Sequence, residues 1–99
     1  MVIRSFRSRG TEDIFNGADT KRARKACPPL AWKVARRKLE LLDSARALDD
    51  LRAVPANRLE ALKKEQSGQH SVRVNDQYRI CFVWTDLGPA NVEIVDYHS

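Results

Sequence analysis

The chain has only two cysteines, two histidines and seven aromatic residues in 99, and each shortage closes off a class of protein. Cys27 and Cys81 carry no metal-ligand spacing, and two separated histidines add no ligand cluster, so neither a metal nor a cofactor is expected. The longest apolar runs are only a few residues, too short to span a membrane. The opening MVIRSFRSRG has arginines but lacks the apolar core of a signal peptide. Without an export signal, both thiols are expected to be reduced and the chain cytoplasmic. Cys81, inside an apolar run, reads as a core residue. What is present, 42% hydrophobic and 31% charged residues, is the composition of a folded soluble protein. Its length predicts a single domain over 1–99 with one core.

Acidic residues are scarce in the first part of the chain. Residues 1–38 hold 11 Lys/Arg against 3 Asp/Glu, whereas residues 39–99 hold 7 against 10. The overall charge of +5 is therefore concentrated toward the N-terminus, which suits an anionic partner such as nucleic acid or an acidic protein surface.

Val2 to Arg7 alternates and predicts a short strand. Thr11 is the predicted N-cap of a short helix, with Glu12 and Asp13 in its first turn and Asn16-Gly17 as its stop. Residues 18–27, ADTKRARKAC, show no apolar period and predict a mobile basic loop, either a contact arm or a solvated linker. Pro28-Pro29 opens the main helix. Ala31, Val34, Ala35, Leu41, Leu42 and Ala45 form its apolar stripe, and Lys33, Arg36, Arg37 and Glu40 lie on the other side. Asp43-Ser44 breaks this helix before Leu48 and Leu51 continue inward, and Pro55 ends helical structure. Residues 55–69 leave a loop and a short helical turn both open.

The C-terminal third alternates twice, over His70–Val74 and Tyr78–Trp84, around the turn Asn75-Asp76-Gln77. A three-residue loop pairs Val72 with Ile80 and Arg73 with Arg79. It sets Val72, Val74, Tyr78, Ile80, Phe82 and Trp84 on one face, with His70 beside them. A two-residue loop would slip the register and drive Arg73 among the aromatics. Two arginines directly opposite repel, which calls for an anion between them. The last strand, Asn91 to Tyr97, puts Val92, Ile94 and Asp96 on one side and Glu93, Val95 and Tyr97 on the other. The whole predicts an α+β fold: an N-terminal strand, two to three helices, then a three-stranded antiparallel sheet packed on the helices.

Arg79, Asp96, Tyr97 and His98 form the candidate catalytic set. Cleaving a phosphodiester needs a base for the nucleophile, an acid for the leaving oxygen and cations for the phosphorane. In RNA the adjacent 2′-OH can be the nucleophile, so no metal is required. Histidine is the side chain whose unperturbed pKa lies near neutrality, so His98 could act as acid or base; Asp96 could orient it or act as base, and Tyr97 could stack or donate. Arg79 is a bidentate phosphate clamp.

The stretch Gly68-Gln-His-Ser-Val-Arg-Val-Asn-Asp-Gln-Tyr-Arg-Ile-Cys-Phe-Val-Trp84, followed by Asn91-Val-Glu-Ile-Val-Asp-Tyr-His98, resembles the HigB-type toxins of the RelE superfamily. These are the plasmid-maintenance killer proteins of bacterial type II toxin–antitoxin modules, with GraT-like members among them. Ile3-Arg-Ser-Phe6 and Asn57-Arg-Leu-Glu-Ala-Leu62 fit as well. The resemblance implies a RelE-like fold and an mRNA interferase acting in the ribosomal A site. It implies a HigA-type helix-turn-helix antitoxin as partner, through which the toxin would associate indirectly with DNA. It also carries over Arg79 on the scissile phosphate, Asp96 and His98 in proton transfer, Tyr97 beside them, and Arg73 holding substrate or ribosomal RNA. Where some members carry a further active-site histidine this chain has Glu60, with Lys63 three residues on, and either could substitute. Lys33, Arg36, Arg37, Lys64 and the 21–25 segment would then meet ribosomal RNA phosphates. The competing function is a non-catalytic RNA- or ribosome-binding translation regulator.

Overall fold

A computed structural model describes residues 1–62 and 68–97. Lys63, Lys64 and His98 lie outside the described residues. Among the described residues four α-helices are followed by a four-stranded antiparallel sheet. The helices are α1 (Arg9–Phe15), α2 (Lys21–Ala26), α3 (Trp32–Ser44) and α4 (Leu48–Arg52). The strands are β1 (Glu60–Ala61), β2 (Gln69–Arg73), β3 (Tyr78–Thr85) and β4 (Gly88–Asp96), in the order β1-β2-β3-β4. The α+β prediction holds, with one more helix and one more strand than the pattern suggested.

The N-terminal segment is not a full strand. It runs parallel to β4 and forms one bridge, Phe6 with Val92. Arg7 N–H donates to Val92 O at 3.0 Å, and Val92 N–H to Ser5 O at 3.0 Å. The cap of α1 is Ser8, whose side chain accepts from Thr11 N–H at 3.1 Å. Thr11 is fully buried and accepts the Ile94 N–H on its hydroxyl at 3.0 Å. The predicted cap therefore ties helix to sheet instead.

The predicted basic loop contains helix α2. It lacks an apolar stripe because Ala23 is its only fully buried side chain. Polar contacts hold it in place. The Thr20 hydroxyl accepts from Ala23 N–H at 3.0 Å and donates to Asp13 at 2.6 Å, while Arg22 grips both Asp13 oxygens at 3.0 and 3.2 Å. These contacts keep the Asp13 carboxyl below its ordinary range, the Thr20 hydroxyl most of all. Gly10 lets the two helices touch, since a Cβ there would meet Arg22 O at 2.3 Å.

Helix α3 follows a 3-10 turn at Pro29–Ala31 and buries Ala35, Lys38, Leu39 and Leu42. Val34 and Leu41 are only half-buried, and Leu39 takes the central place. These residues meet Val72, Val74, Ile80, Phe82, Val92 and Ile94 from the inner face of the sheet in one core cluster. The hairpin register is as predicted, with Val72 opposite Ile80 and Arg73 opposite Arg79. Asn75 shapes its loop by accepting from Gln77 and Tyr78 N–H at 2.9 and 2.8 Å.

A candidate active site on the open face of the sheet

Because the helices cover one face of the sheet, strand alternation sends Ser71, Arg73, Arg79, Cys81, Glu93 and Val95 to the other. Cys81 belongs to this set. It is half-exposed on the outward side, not in the core, since Ile80 and Phe82 flank it and point inward. Burial and the nearby Glu93 carboxylate raise its thiol, against the pull of Arg79 and Tyr97.

Arg79 is the centre of the face. It is only 8% exposed, yet its charge is held mainly by uncharged oxygens. Nε donates to Ser71 Oγ at 2.8 Å, and Nη2 donates to Ser71 O at 3.2 Å and Arg58 O at 2.5 Å. Among the described residues the one carboxylate on it, Glu60 from β1, sits 3.3 Å from Nη2 and is itself 61% exposed. Among the described residues Nη1 has no hydrogen-bond partner.

Arg58 follows a 3-10 turn, Pro55–Asn57, and adopts the left-handed conformation (φ 44°, ψ 55°), which turns its carbonyl toward Arg79. The turn is fastened from below. Asn57 is 1% exposed, accepts from Lys38 Nζ at 2.6 Å and donates to Leu51 O at 3.0 Å. Burial holds the Lys38 ammonium below its ordinary range, helped by the Arg37 and Arg73 charges. Thus a buried lysine on α3 supports the turn that supplies one of the oxygens on Arg79.

Arg73 pairs with Asp76 in the hairpin loop. The repulsion expected between opposed arginines is therefore relieved by two carboxylates of the chain, Asp76 on Arg73 and Glu60 on Arg79. Tyr97 stands over Arg79 with its ring centroid 5.8 Å from the guanidinium carbon. Its N–H donates to Gln77 O at 2.7 Å, which fastens the chain just beyond β4. Burial raises its phenol above the ordinary range, with the Cys81 and Glu60 charges adding to it, while Arg79 pulls the other way. Arg58, Glu60, Arg73, Arg79 and Tyr97 line a cavity of about 350 Å³.

The structure brings together four of the residues singled out in the sequence: Glu60, Arg73, Arg79 and Tyr97. Asp96 lies opposite Tyr78 on β3, and its carboxylate accepts from Gln77 Nε2 at 3.1 Å. Strand alternation carries it to the side away from Arg79, where it borders a different cavity with Arg22, Lys25 and Tyr78. On α3, Lys33 and Arg37 are exposed, whereas Arg36 donates from Nε to Ile14 O at 2.9 Å and closes the end of α1. Sequence patterning did not mark Ser71, Arg58, Asn57 or Lys38. Only Lys38 left a trace, as a polar residue within the Ala35-Leu39-Leu42 stripe. Among the described residues no helix is long and apolar enough to cross a membrane.

Comparison with known proteins shows the family. The family model for the RelE-like toxin HigB of type II toxin–antitoxin systems matches residues 4–98. Toxin HigB-1 of Vibrio cholerae serotype O1 is 42% identical over 94 residues, covering 95% of each chain. An uncharacterised protein of Haemophilus influenzae is 36% identical over 72 residues, covering 73% of this chain and 70% of its own.

Proposed function

The chain belongs to the RelE-like HigB toxins of type II toxin–antitoxin systems, and we propose that it is an endoribonuclease that cuts messenger RNA in the ribosomal A site and so arrests translation and growth. The observation that carries this is Arg79. It is a nearly buried guanidinium fixed through Nε and Nη2, with a tyrosine at its face, in a cavity large enough for a phosphate. A rigid fork of this kind is suited to a phosphoryl group that gains charge in the transition state.

In the proposed reaction the 2′-OH attacks the adjacent phosphorus as a base removes its proton. The bond to the 5′-oxygen then breaks, and an acid protonates that oxygen. The products are a 2′,3′-cyclic phosphate and a 5′-OH end, and no metal takes part. Arg79 holds the phosphate, and Glu60, which lines the same cavity, serves as the base for the nucleophile's proton. Tyr97 packs against the substrate or shares its proton. His98 suits the role of acid by residue type. Asp96, bonded to Gln77 at the strand end, acts with it in proton transfer by orienting the terminus. Arg73, Lys33 and Arg37 meet RNA phosphates, with Arg36, Lys63 and Lys64 assigned to the same RNA contact or catalytic support on charge alone. As a toxin of a two-component module the chain has an antitoxin partner. We infer a HigA-type helix-turn-helix protein that carries the toxin to DNA indirectly.

The test is to map cut sites in messenger RNA on translating ribosomes for the wild type and for Arg79→Ala and His98→Ala. Ribosome-dependent cuts ending in a cyclic phosphate, lost in both variants at equal protein level, are expected. Full cutting by both variants would sink the site assignment. Arrest of translation with intact message would replace the nuclease by a non-catalytic ribosome-binding regulator.

A further inference from the structure

The open face of the sheet extends beyond Arg79, and Tyr97 borders two cavities there. One is the 350 Å³ cavity with Arg79 and Arg73; the other, about 290 Å³, lies on its far side. The second cavity has a different character. Leu62, Val95 and Tyr97 give it apolar walls, and Gln69 and Glu93 provide two polar heads. Both heads are half-buried. Among the described residues neither side chain has a hydrogen bond or ion pair. Arg79 and Cys81, one bordering each cavity, are two positions apart on β3, about 7 Å along the strand. That is the scale of the separation between a phosphate and its own base.

A phosphate suits the second cavity less than the first: the first sets Arg58, Arg73 and Arg79 against Glu60 and Asp76, whereas the second has the Glu93 carboxylate and a single arginine, Arg7, exposed at its rim. A flat ring with donors on its edge suits it better. We propose that this cavity is a nucleobase subsite, in which Tyr97 stacks on the base and Glu93 and Gln69 read its Watson–Crick edge, favouring bases with an exocyclic amino group over uracil. The proposal rests on the nuclease reading of Arg79 and names the substrate feature read beside it.

The preference follows from donor and acceptor patterns. Adenine, cytosine and guanine each offer an amino N–H to a carboxylate, and the Gln69 amide can complement the neighbouring ring atom or carbonyl. Uracil flanks its single N–H with two carbonyls, which would face the carboxylate lone pairs. Stacking on tyrosine is tolerant of base identity, so discrimination falls to the two polar heads. Arg7, exposed at the rim, offers a cation to a flanking phosphate.

Two measurements test this. Base frequencies around cut sites are compared for wild type, Glu93→Gln and Gln69→Ala, with melting temperatures confirming that all are folded. In parallel, the purified proteins are titrated with 2′-deoxy trinucleotides, which cannot be cleaved. The wild type should disfavour uracil at one position by at least about fivefold in both measurements. Glu93→Gln, whose amide can donate to a carbonyl, should flatten that bias. Identical base profiles in all three proteins would overturn the subsite while leaving the nuclease intact. A Glu93→Gln variant that loses antitoxin affinity with its base profile unchanged would assign the cavity to the antitoxin and overturn the proposal too. Absence of cleavage by the wild type, with a trinucleotide bias that Glu93→Gln removes, would strike the nuclease reading and uphold the subsite.

Discussion

Replacing Asn57 by alanine should cost stability in a way that depends on pH and should slow cleavage without touching substrate. Asn57 is almost fully buried and satisfies the Lys38 ammonium and the Leu51 carbonyl. Alanine leaves both without that partner, and Lys38 is only 8% exposed. The penalty has a ceiling. Neutralising an ammonium of ordinary pKa 10.5 at pH 7 costs about 5 kcal/mol, and burial has already lowered Lys38, so the variant can escape for less. Adding about 1 kcal/mol for the orphaned carbonyl and allowing for relaxation toward solvent, a loss of about 2–4 kcal/mol is expected. The sign with pH follows from linkage. Lys38 has a lower pKa folded than unfolded, so the unfolded chain binds more protons between the two values and stability rises with pH through that window. The window is wider in the variant. Its stability should recover toward pH 10, by at most about 1.4 kcal/mol per pH unit. Urea titrations from pH 7 to 10 measure this, and Lys38→Met/Asn57→Ala should remove the slope because no ammonium is left to titrate. With the turn loosened, Arg58 no longer holds Arg79 firmly. Cleavage should fall about tenfold or more, the worth of one hydrogen bond to a charged group, in kcat and not in KM. Stability within about 0.5 kcal/mol of wild type, or a penalty flat with pH, would refute the proposed role of Lys38 and Asn57.

Three further outcomes are expected. His70 stacks on Phe82 at 6.1 Å with Nδ1 buried and, among the described residues, unpartnered, and burial, aided by the Arg52 charge, lowers its pKa from 6.5. The unfolded state therefore takes up the proton first, so stability should be full above about pH 6.5 and decline as pH falls. His70→Phe should flatten that decline in denaturant titrations, and an unchanged slope would exclude His70 as its source. Gly88→Ala should lower Tm by about 10 °C or more, because φ is +127° and the new Cβ would sit 2.5 Å from Val2 O, a strain of about 2–3 kcal/mol; a Tm shift of less than about 2 °C would contradict the predicted strain. Reversing Lys33 and Arg37 to glutamate should weaken ribosome cosedimentation and reduce its salt dependence, whereas unchanged binding would remove α3 from the ribosome contact.

The hairpin register could be read from sequence because a slip of one residue would have placed Arg73 among the aromatics, a cost no alternative offsets. The same alternation placed Tyr97 on the side of Arg79 and Asp96 on the other, although shared chemistry suggested that all of them meet one phosphate. Helix α2 was hidden because its stability lies in the Thr20 cap and the Asp13–Arg22 pair and not in an apolar period. Thr11 was the predicted cap, but its hydroxyl is taken by a long-range bond from Ile94 N–H and Ser8 caps the helix; local pattern does not encode such bonds. The support of Arg79 was hidden for the same reason: Ser71, Arg58 and Glu60 reach it from across the sheet or from the segment leading into it.

The choice of partners on Arg79 explains how a nearly buried cation stays available to a substrate. Fixing it with buried carboxylates would have held the geometry but neutralised the charge, and breaking such a pair to admit a phosphate would cost several kcal/mol. Here rigidity comes from the Ser71 hydroxyl and two backbone carbonyls, which orient the guanidinium while leaving its formal charge intact. Among the described residues the one carboxylate on it, Glu60, is 61% exposed, so it can return to water when a substrate takes its place. A phosphate that accepts from Nη1 and takes the place of Glu60 beside Nη2 can displace that carboxylate while the Ser71 and Arg58 bonds stay made. The carboxylate is then left within the same cavity, free to act as the base of the proposed cleavage. Geometry and charge are thus set by different atoms. Loss of the Arg58 or Ser71 oxygen should disturb the position of Arg79, and loss of Glu60 should leave that position unchanged while slowing the proton transfer.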